Sequence, residues 1–379
     1  MRVLHVFDKI GPSGGGTASV IKTLAEAQIR SGNVVTVWTT DVGYQKGFIE
    51  DTVEVVPFHC FWSFGGYLMV GATSISSGRF DIIHLHQARG DLSSSVQLWA
   101  SRSGTPCLMD DHGSLPRLGS FPKRALKWFY DLEGSRYLRG STRVIVENSF
   151  SHKYVRSFGV KDSKIVEIPL GYPIKDYTDL PKKGYFDYLV PPTTKKILFL
   201  GRINFIKGLD FLLEAYKEVL VHLKEKSVLI IAGPEDGYGE ILEATIPKKG
   251  LLGAIKIVST LSRTEVIGAL VDADVVVQPS RFEQTALVPV ESLLCGTPVI
   301  TTKTGAGQFL KDNLRYNWQV DFGATKELAT MIVSVLAGVH QDSIKRDVAV
   351  AAAIVRSGYP IDQMIEKYET LYSEVVVAK

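Results

Sequence analysis

Short runs of Val, Ile and Leu recur along the chain, each followed by turn residues and then by a stretch with helical spacing. In the first half these runs fall at 3–7, 34–38, 53–56, 81–85, 106–109 and 143–146. They are continuous rather than alternating, as in strands covered on both faces. Helical patterns lie between several of them, at 18–30 and 92–101. Strands alternating with helices predict a parallel sheet. The stretch 172–194 breaks the rhythm with Pro173, Pro181, Pro191 and Pro192. Few helices or central strands tolerate that density of proline, so a linker is predicted there. The alternation then resumes, with strands at 197–200, 228–232, 255–258, 274–277 and 298–301 and a helix at 209–223. Finally Ile361, Met364, Ile365, Tyr368, Leu371, Tyr372 and Val375 take helical spacing, an amphipathic helix that must bury one face.

The expected fold class is therefore α/β: two Rossmann-like, doubly wound parallel-sheet domains in tandem, facing each other across a cleft. The expected bounds are 1–175 for the first domain, 176–194 for the linker, 195–358 for the second domain and 359–379 for the closing helix, which could pack back on the first domain. A length of 379 residues accommodates two domains, each able to bury its own core. Hydrophobic residues at 45% and charged residues at 22% exclude a wholly disordered chain. Cys60, Cys107 and Cys295 lie far apart with no CxxC pair, so neither a zinc motif nor a disulfide framework is indicated. The opening residues place charge and a turn where a signal peptide needs an apolar core. The charge-poor stretch 55–78 is too polar and too broken by glycine and proline to span a membrane, and reads as strand, turn and helix. A cytoplasmic location is expected. Net charge is only +3, but residues 115–164 hold 11 Lys and Arg against 4 Asp and Glu, so an anionic partner is plausible for the first half.

In open α/β sheets ligands bind beyond the carboxyl ends of the strands, so chemistry belongs on the loops that follow strands. After the first strand come Gly14, Gly15, Gly16 and Thr17, then a helix. Consecutive glycines there let backbone N–H groups approach an anion. The spacing fits neither a P-loop nor a dinucleotide fingerprint, and a plain turn with Thr17 as cap is the simpler alternative. After the strand at 197–200 comes Gly-Arg202-Ile-Asn-Phe-Ile-Lys207-Gly. Arg202 as a fork of donors and Lys207 as a compact charge could hold one diphosphate; alone, they could equally be solvated surface cations. After the strand at 274–277, Glu283 lies in a loop and Glu291 near a helix start that Pro289 should mark. Two carboxylates there could accept hydrogen bonds from sugar or ribose hydroxyls, although such a pair also arises by chance.

These motifs in this order resemble the retaining glycosyltransferases of family 4, the group 1 glycosyltransferases, which have the GT-B fold. The resemblance rests on GRxxxxKG after a strand, then PSxxE, the second Glu, and Ser-Leu-Leu-Cys-Gly-Thr-Pro-Val-Ile. In the first half it rests on the Gly14–Gly16 loop, Asp81-Ile-Ile-His-Leu-His86, Asp110-Asp-His-Gly-Ser-Leu-Pro-Arg117, Val144-Ile-Val-Glu-Asn-Ser149 and Ile168-Pro-Leu-Gly171. It implies a hexosyltransferase that moves a sugar from a nucleotide-diphosphate-sugar donor to a hydroxyl of a glycan or lipid-linked acceptor, in cell-surface polysaccharide or glycolipid synthesis. It implies donor-diphosphate contacts for Arg202 and Lys207, a ribose contact for Glu291 and a transferred-sugar contact for Glu283. Gly15 and Gly16 would turn backbone N–H groups to the diphosphate, and His112 would sit at the reacting centre. No metal and no cofactor is expected. Gln284-Thr285-Ala286 replaces the usual Gly-Phe-Gly after the first Glu, which bears on the donor sugar, and Leu170 replaces an Asn. A nucleotide-sugar 2-epimerase of the same fold, and a non-catalytic nucleotide-sugar-binding protein, are the rival readings.

Several other features are weaker. His84 and His86 close a strand, where one is expected to point inward and one outward. Asp272 and Asp274 flank Ala273 before a strand and are expected to face outward. The segment 121–139 sets Lys123, Arg124 and Lys127 against Leu126, Phe129, Tyr130 and Tyr137. Such a helix could touch an anionic membrane peripherally, on the inner face, or simply pack its aromatics inward. Nucleic acid is not expected as a partner.

Overall fold

A computed structural model of the protein describes residues 1–64, 67–71, 79–87, 90–110, 131–132 and 134–378. The chain divides into two compact units, one formed by Met1–Leu170 with Asp362–Lys379, the other by Gly171–Ile361.

In the first unit, seven strands form a parallel sheet among the described residues. In spatial order they are Glu54–Phe58, Val34–Thr40, Arg2–Val6, Ile82–Leu85, Cys107–Asp110, Arg143–Val146 and Ile165–Glu167. Pro57 is tolerated because its strand is at the sheet's edge. Leu4, Val6, Ile83, Leu85, Met109 and Val144 join Leu92 and Val96 of the helix Asp91–Ser103 in one core. The stretch expected as strand, turn and helix departs from that reading. After Phe58 the chain makes a short antiparallel hairpin, Trp62–Phe64 against Tyr67–Met69; residues 72–78 lie outside the described residues.

Both histidines of the sequence His84-Leu-His86 are buried, contrary to the in-and-out expectation. Residues two apart on a strand share a face, and His5 is paired in register with His84 on the neighbouring strand. His5 Nδ1 lies 2.9 Å from His86 Nε2, and its Nε2 lies 2.8 Å from Gln28 Oε1. Two nitrogens on one tetrahedral zinc at about 2.0–2.1 Å would stand roughly 3.3 Å apart, so the shorter spacing is that of a hydrogen bond. The closing helix Ile361–Val377 joins this cluster: the Tyr372 hydroxyl is 2.5 Å from His84 Nδ1, and Tyr368 donates to Asp110 Oδ2 at 2.6 Å. Its buried residues Met364, Tyr368, Leu371, Tyr372 and Val375 are those of the sequence pattern.

Burial pushes the His5 imidazole down from 6.5 to about 4, against the opposing hydrogen bond that His5 Nε2 donates to Gln28 Oε1. The unfolded chain therefore takes up a proton here before the folded one does. Stability from a neutral His5 is full above pH 6.5 and is lost as pH falls toward 4. The stability gap between the wild type and His5→Gln should shrink between pH 7.5 and 4.5 in urea titrations. A gap that stays constant with pH would contradict this account.

In the second unit six parallel strands run, in spatial order, Ile255–Val258, Ser227–Ala232, Lys195–Leu200, Val275–Gln278, Val299–Thr302 and Gln319–Val320. In order along the chain these are strands 3-2-1-4-5-6, the doubly wound arrangement, and the order reverses between Lys195–Leu200 and Val275–Gln278. The proline-rich stretch is not a free linker. It is folded into this unit, with Phe186 fully buried. Asp272, expected to face outward, is also buried. It accepts from the amides of Gly184 at 3.0 Å and Phe186 at 2.8 Å and pairs with Lys196 Nζ at 3.1 Å. Asp274 accepts from the Lys196 amide at 2.8 Å and reaches Lys183 Nζ at 3.4 Å.

Candidate active site

The reversal of strand order in the second unit places two loops side by side, the one after Lys195–Leu200 and the one after Val275–Gln278. Gly208 explains how closely they meet. Its φ is 69°, and an added Cβ would stand 2.1 Å from the Pro279 carbonyl oxygen, so both conformation and space demand glycine. Asn204 caps the turn Phe205–Lys207 by accepting from the Lys207 amide at 3.2 Å. Arg281 ties the loops together. Its amide donates to Ile206 O at 2.7 Å and its guanidinium to Phe205 O at 2.6 Å. The same guanidinium pairs with Asp210 and lies 3.8 Å from the centre of the Phe205 ring.

This frame holds the charged side chains in place. Lys207 Nζ forms an ion pair with Glu283, both mostly shielded, the lysine side chain 16% exposed. Ser280 Oγ also donates to Glu283 Oε2, at 3.2 Å. Arg202 is more open, 44% exposed, and donates to Asp236 Oδ2 at 3.0 Å. Asn204 Nδ2 binds the same oxygen at 2.8 Å. A lysine–glutamate pair, with a second cation on the same loop, thus lies at the point where such sheets bind ligands, and an anion could compete for these cations with their present carboxylate partners.

Glu291 lies in the helix Leu287–Leu294, which begins two residues before Pro289. Its side chain is 5% exposed and is ion-paired with Arg263. Arg263 also donates to the Tyr177 hydroxyl at 2.6 Å and, through Nε, to Asp176 Oδ2 at 3.2 Å. Burial, the largest single influence, would pull the Arg263 guanidinium down, but the Glu291 charge, Tyr177 and the hydrogen bonds to Glu291 and Asp176 together outweigh it and the net shift is upward. Burial, reinforced by Glu291, pushes the Tyr177 phenol up, so it stays neutral.

The first unit has its own reversal, between Arg2–Val6 and Ile82–Leu85. There the helix Gly15–Arg30 begins at the predicted glycine loop. Gly14 packs its Cα against the Lys9 carbonyl, where a Cβ would stand at 2.1 Å, and Gly15 takes a φ of 61°. Gly16 follows within the first turn; the Gly14 amide donates to Gly11 O at 3.0 Å and the Gly15 amide to Pro12 O in the turn before the helix. Burial pushes the neighbouring Asp8 carboxyl up to about 7, with nearby Gln87 opposing the shift. At neutral pH it therefore carries only part of its negative charge beside a loop suited to anions. His112 and residues 121–130 lie outside the described residues, and no described helix is long and apolar enough to cross a membrane.

Residues 185–338 match the family described as glycosyl transferases group 1, and residues 15–171 match the glycosyl transferase 4-like domain. The chain belongs to the group 1 glycosyltransferases. A GDP-mannose-dependent alpha-(1-6)-phosphatidylinositol dimannoside mannosyltransferase of Mycobacterium tuberculosis is 26% identical over 316 residues, covering 81% of this chain and 80% of its own length. Among solved structures, sucrose-phosphate synthase of Thermosynechococcus elongatus superposes with a TM-score of 0.79 at 18% identity over the whole of both chains. HepE of Anabaena, solved with UDP-glucose, also gives 0.79 at 18%, over 98% of this chain and all of its own. These likenesses establish the GT-B fold for this glycosyltransferase. Arg263, Arg281, Asn204 and Asp236 escaped the sequence reading. Arg281 is one of the unspecified positions of PSxxE, and nothing in its spacing discloses that it clamps the two loops.

Proposed function

We propose that this glycosyltransferase is a retaining, metal-independent enzyme that moves a sugar from a nucleoside-diphosphate donor to a hydroxyl of a glycan or lipid-linked acceptor. What carries the reading is that Arg202 and Lys207 share the loop after Lys195–Leu200 and Lys207 meets Glu283 of the loop after Val275–Gln278, at the strand-order reversal. Arg202 and Lys207 bind the donor diphosphate, Glu283 accepts from hydroxyls of the transferred sugar, and Glu291 accepts from the ribose. As the anomeric C–O bond breaks, its electron pair passes to the diphosphate oxygen. The two cations lie where that charge grows. The acceptor oxygen then bonds to the anomeric carbon on the face the diphosphate leaves, and its proton passes to the departing phosphate. Gly15 and Gly16 offer N–H groups to the same diphosphate, and His112 serves the reacting centre. The lipid-linked acceptor draws support from the mycobacterial relative's name, and the basic segment 121–139 would then touch an anionic membrane surface from the cytoplasmic side.

A thermal-shift screen with UDP, GDP, ADP and their sugars tests the donor half. At a hundredfold excess over Kd, a ligand of the folded form stabilises by about 2.7 kcal/mol, which should raise the Tm by several degrees. The nucleotide that does so names the base, and its sugars then enter transfer assays. No shift with any of them would overturn the proposal.

A further inference from the structure

We infer that Arg263 is a positioning residue for ribose recognition, holding the Glu291 carboxylate in the orientation that accepts the sugar hydroxyls; this rests on the donor reading above. One guanidinium at its side holds that carboxylate in an ion pair. The pair engages Glu291 Oε1.

Arg263 can hold that carboxylate still because it is itself fixed from several directions. It is the first residue of the helix Arg263–Asp272, whose start is locked by the reciprocal Ser262–Glu265 capping box. Its Nη2 donates to the Tyr177 hydroxyl, its Nε to Asp176, and its plane lies 5.2 Å from the Tyr177 ring centre. The neutral Tyr177 hydroxyl also hydrogen-bonds to Glu291. Arg356 Nη2 reaches the Tyr177 carbonyl at 3.4 Å and the Leu294 carbonyl at 3.2 Å, joining the Tyr177 segment to the helix that bears Glu291. A lysine could supply the charge but not this fork of directed donors.

The readout is discrimination between nucleotides, because a purely structural role for Arg263 would weaken all nucleotides alike. Calorimetry compares UDP, GDP and ADP with their 2′-deoxy and 3′-deoxy forms. The wild type should prefer a ribonucleoside diphosphate roughly tenfold or more, the size expected of a hydrogen bond to a charged group. Arg263→Met should lower affinity for the ribo form about as much while leaving the deoxy forms nearly unchanged, so the preference collapses. Arg263→Lys should lose most of the preference, and Tyr177→Phe part of it. Full preference in folded Arg263→Met overturns the inference; if that variant does not fold, full preference in Arg263→Lys does so. A wild type that binds no diphosphate, or does not distinguish ribo from deoxy forms, overturns instead the donor reading of Glu291.

Discussion

Lys207→Ala is expected to lower kcat by about a hundredfold to a thousandfold, and Arg202→Ala by a smaller factor. Removing one preorganised donor from a site where charge develops typically costs roughly 3–4 kcal/mol. Lys207 should lie at the upper end for two reasons. Its side chain is 16% exposed against 44% for Arg202, so less water remains to replace it. Its loss also strips Glu283 of the ion-pair partner it has in this structure, leaving an uncompensated carboxylate beside the leaving diphosphate. Arg202 is held by Asp236, which Asn204 also binds, so its deletion leaves that carboxylate with a partner. Transfer rates at saturating donor check the order, with melting curves to confirm folding. Near-normal turnover in both variants would remove the central claim about the site.

The parts of this site that were legible in the sequence are those set by local constraints. A glycine with positive φ at a loop's end, a proline in a helix's first turn and charged residues just beyond strands all act within a few positions. Gly208 and Pro289 are visible for that reason, and so is the pair of loops bearing Arg202, Lys207 and Glu283. What escaped depends on contacts between distant positions. Arg263 opens a helix whose Ser-Arg-Thr-Glu start reads as an ordinary cap, while its partners Tyr177 and Glu291 lie 86 and 28 residues away. Most strands were legible because continuous Val and Ile runs leave few alternatives, but the short strands Ile165–Glu167 and Gln319–Val320 were not, and neither was the proline-rich stretch. Proline density excludes regular elements there; it does not exclude packing, and Phe186 and Tyr177 are buried within the second unit. The histidine pair failed for a different reason. Two residues apart on a strand means one face, and the partner that completes the cluster, His5, comes from a strand 81 positions earlier than His86.

Asp272→Ala should destabilise the second unit by about 3–5 kcal/mol, the range for breaking a buried ion pair by removing one partner. The Asp272 side chain has no exposed surface, and Lys196 beside it is nearly as enclosed. Alanine leaves an ammonium without its counter-charge and takes away the acceptor of the Gly184 and Phe186 amides. Such orphaned donors cost about 1–3 kcal/mol each where water cannot reach them, so part of the loss is backbone rather than charge. Asp272→Asn keeps an acceptor but not the charge, and should fall between. Pairing Asp272→Leu with Lys196→Met removes the stranded charge and should recover part of the loss, as apolar replacement of a whole buried pair often does. Urea titrations of the four proteins separate these contributions, and an Asp272→Ala chain within about 1 kcal/mol of the wild type would refute the argument. The consequence reaches the site. The segment that Asp272 anchors at Gly184 and Phe186 also carries Asp176 and Tyr177, which hold Arg263. Loosening it should weaken nucleotide binding in Asp272→Asn before the unit melts, although Asp272 has no contact with any residue proposed to touch the donor.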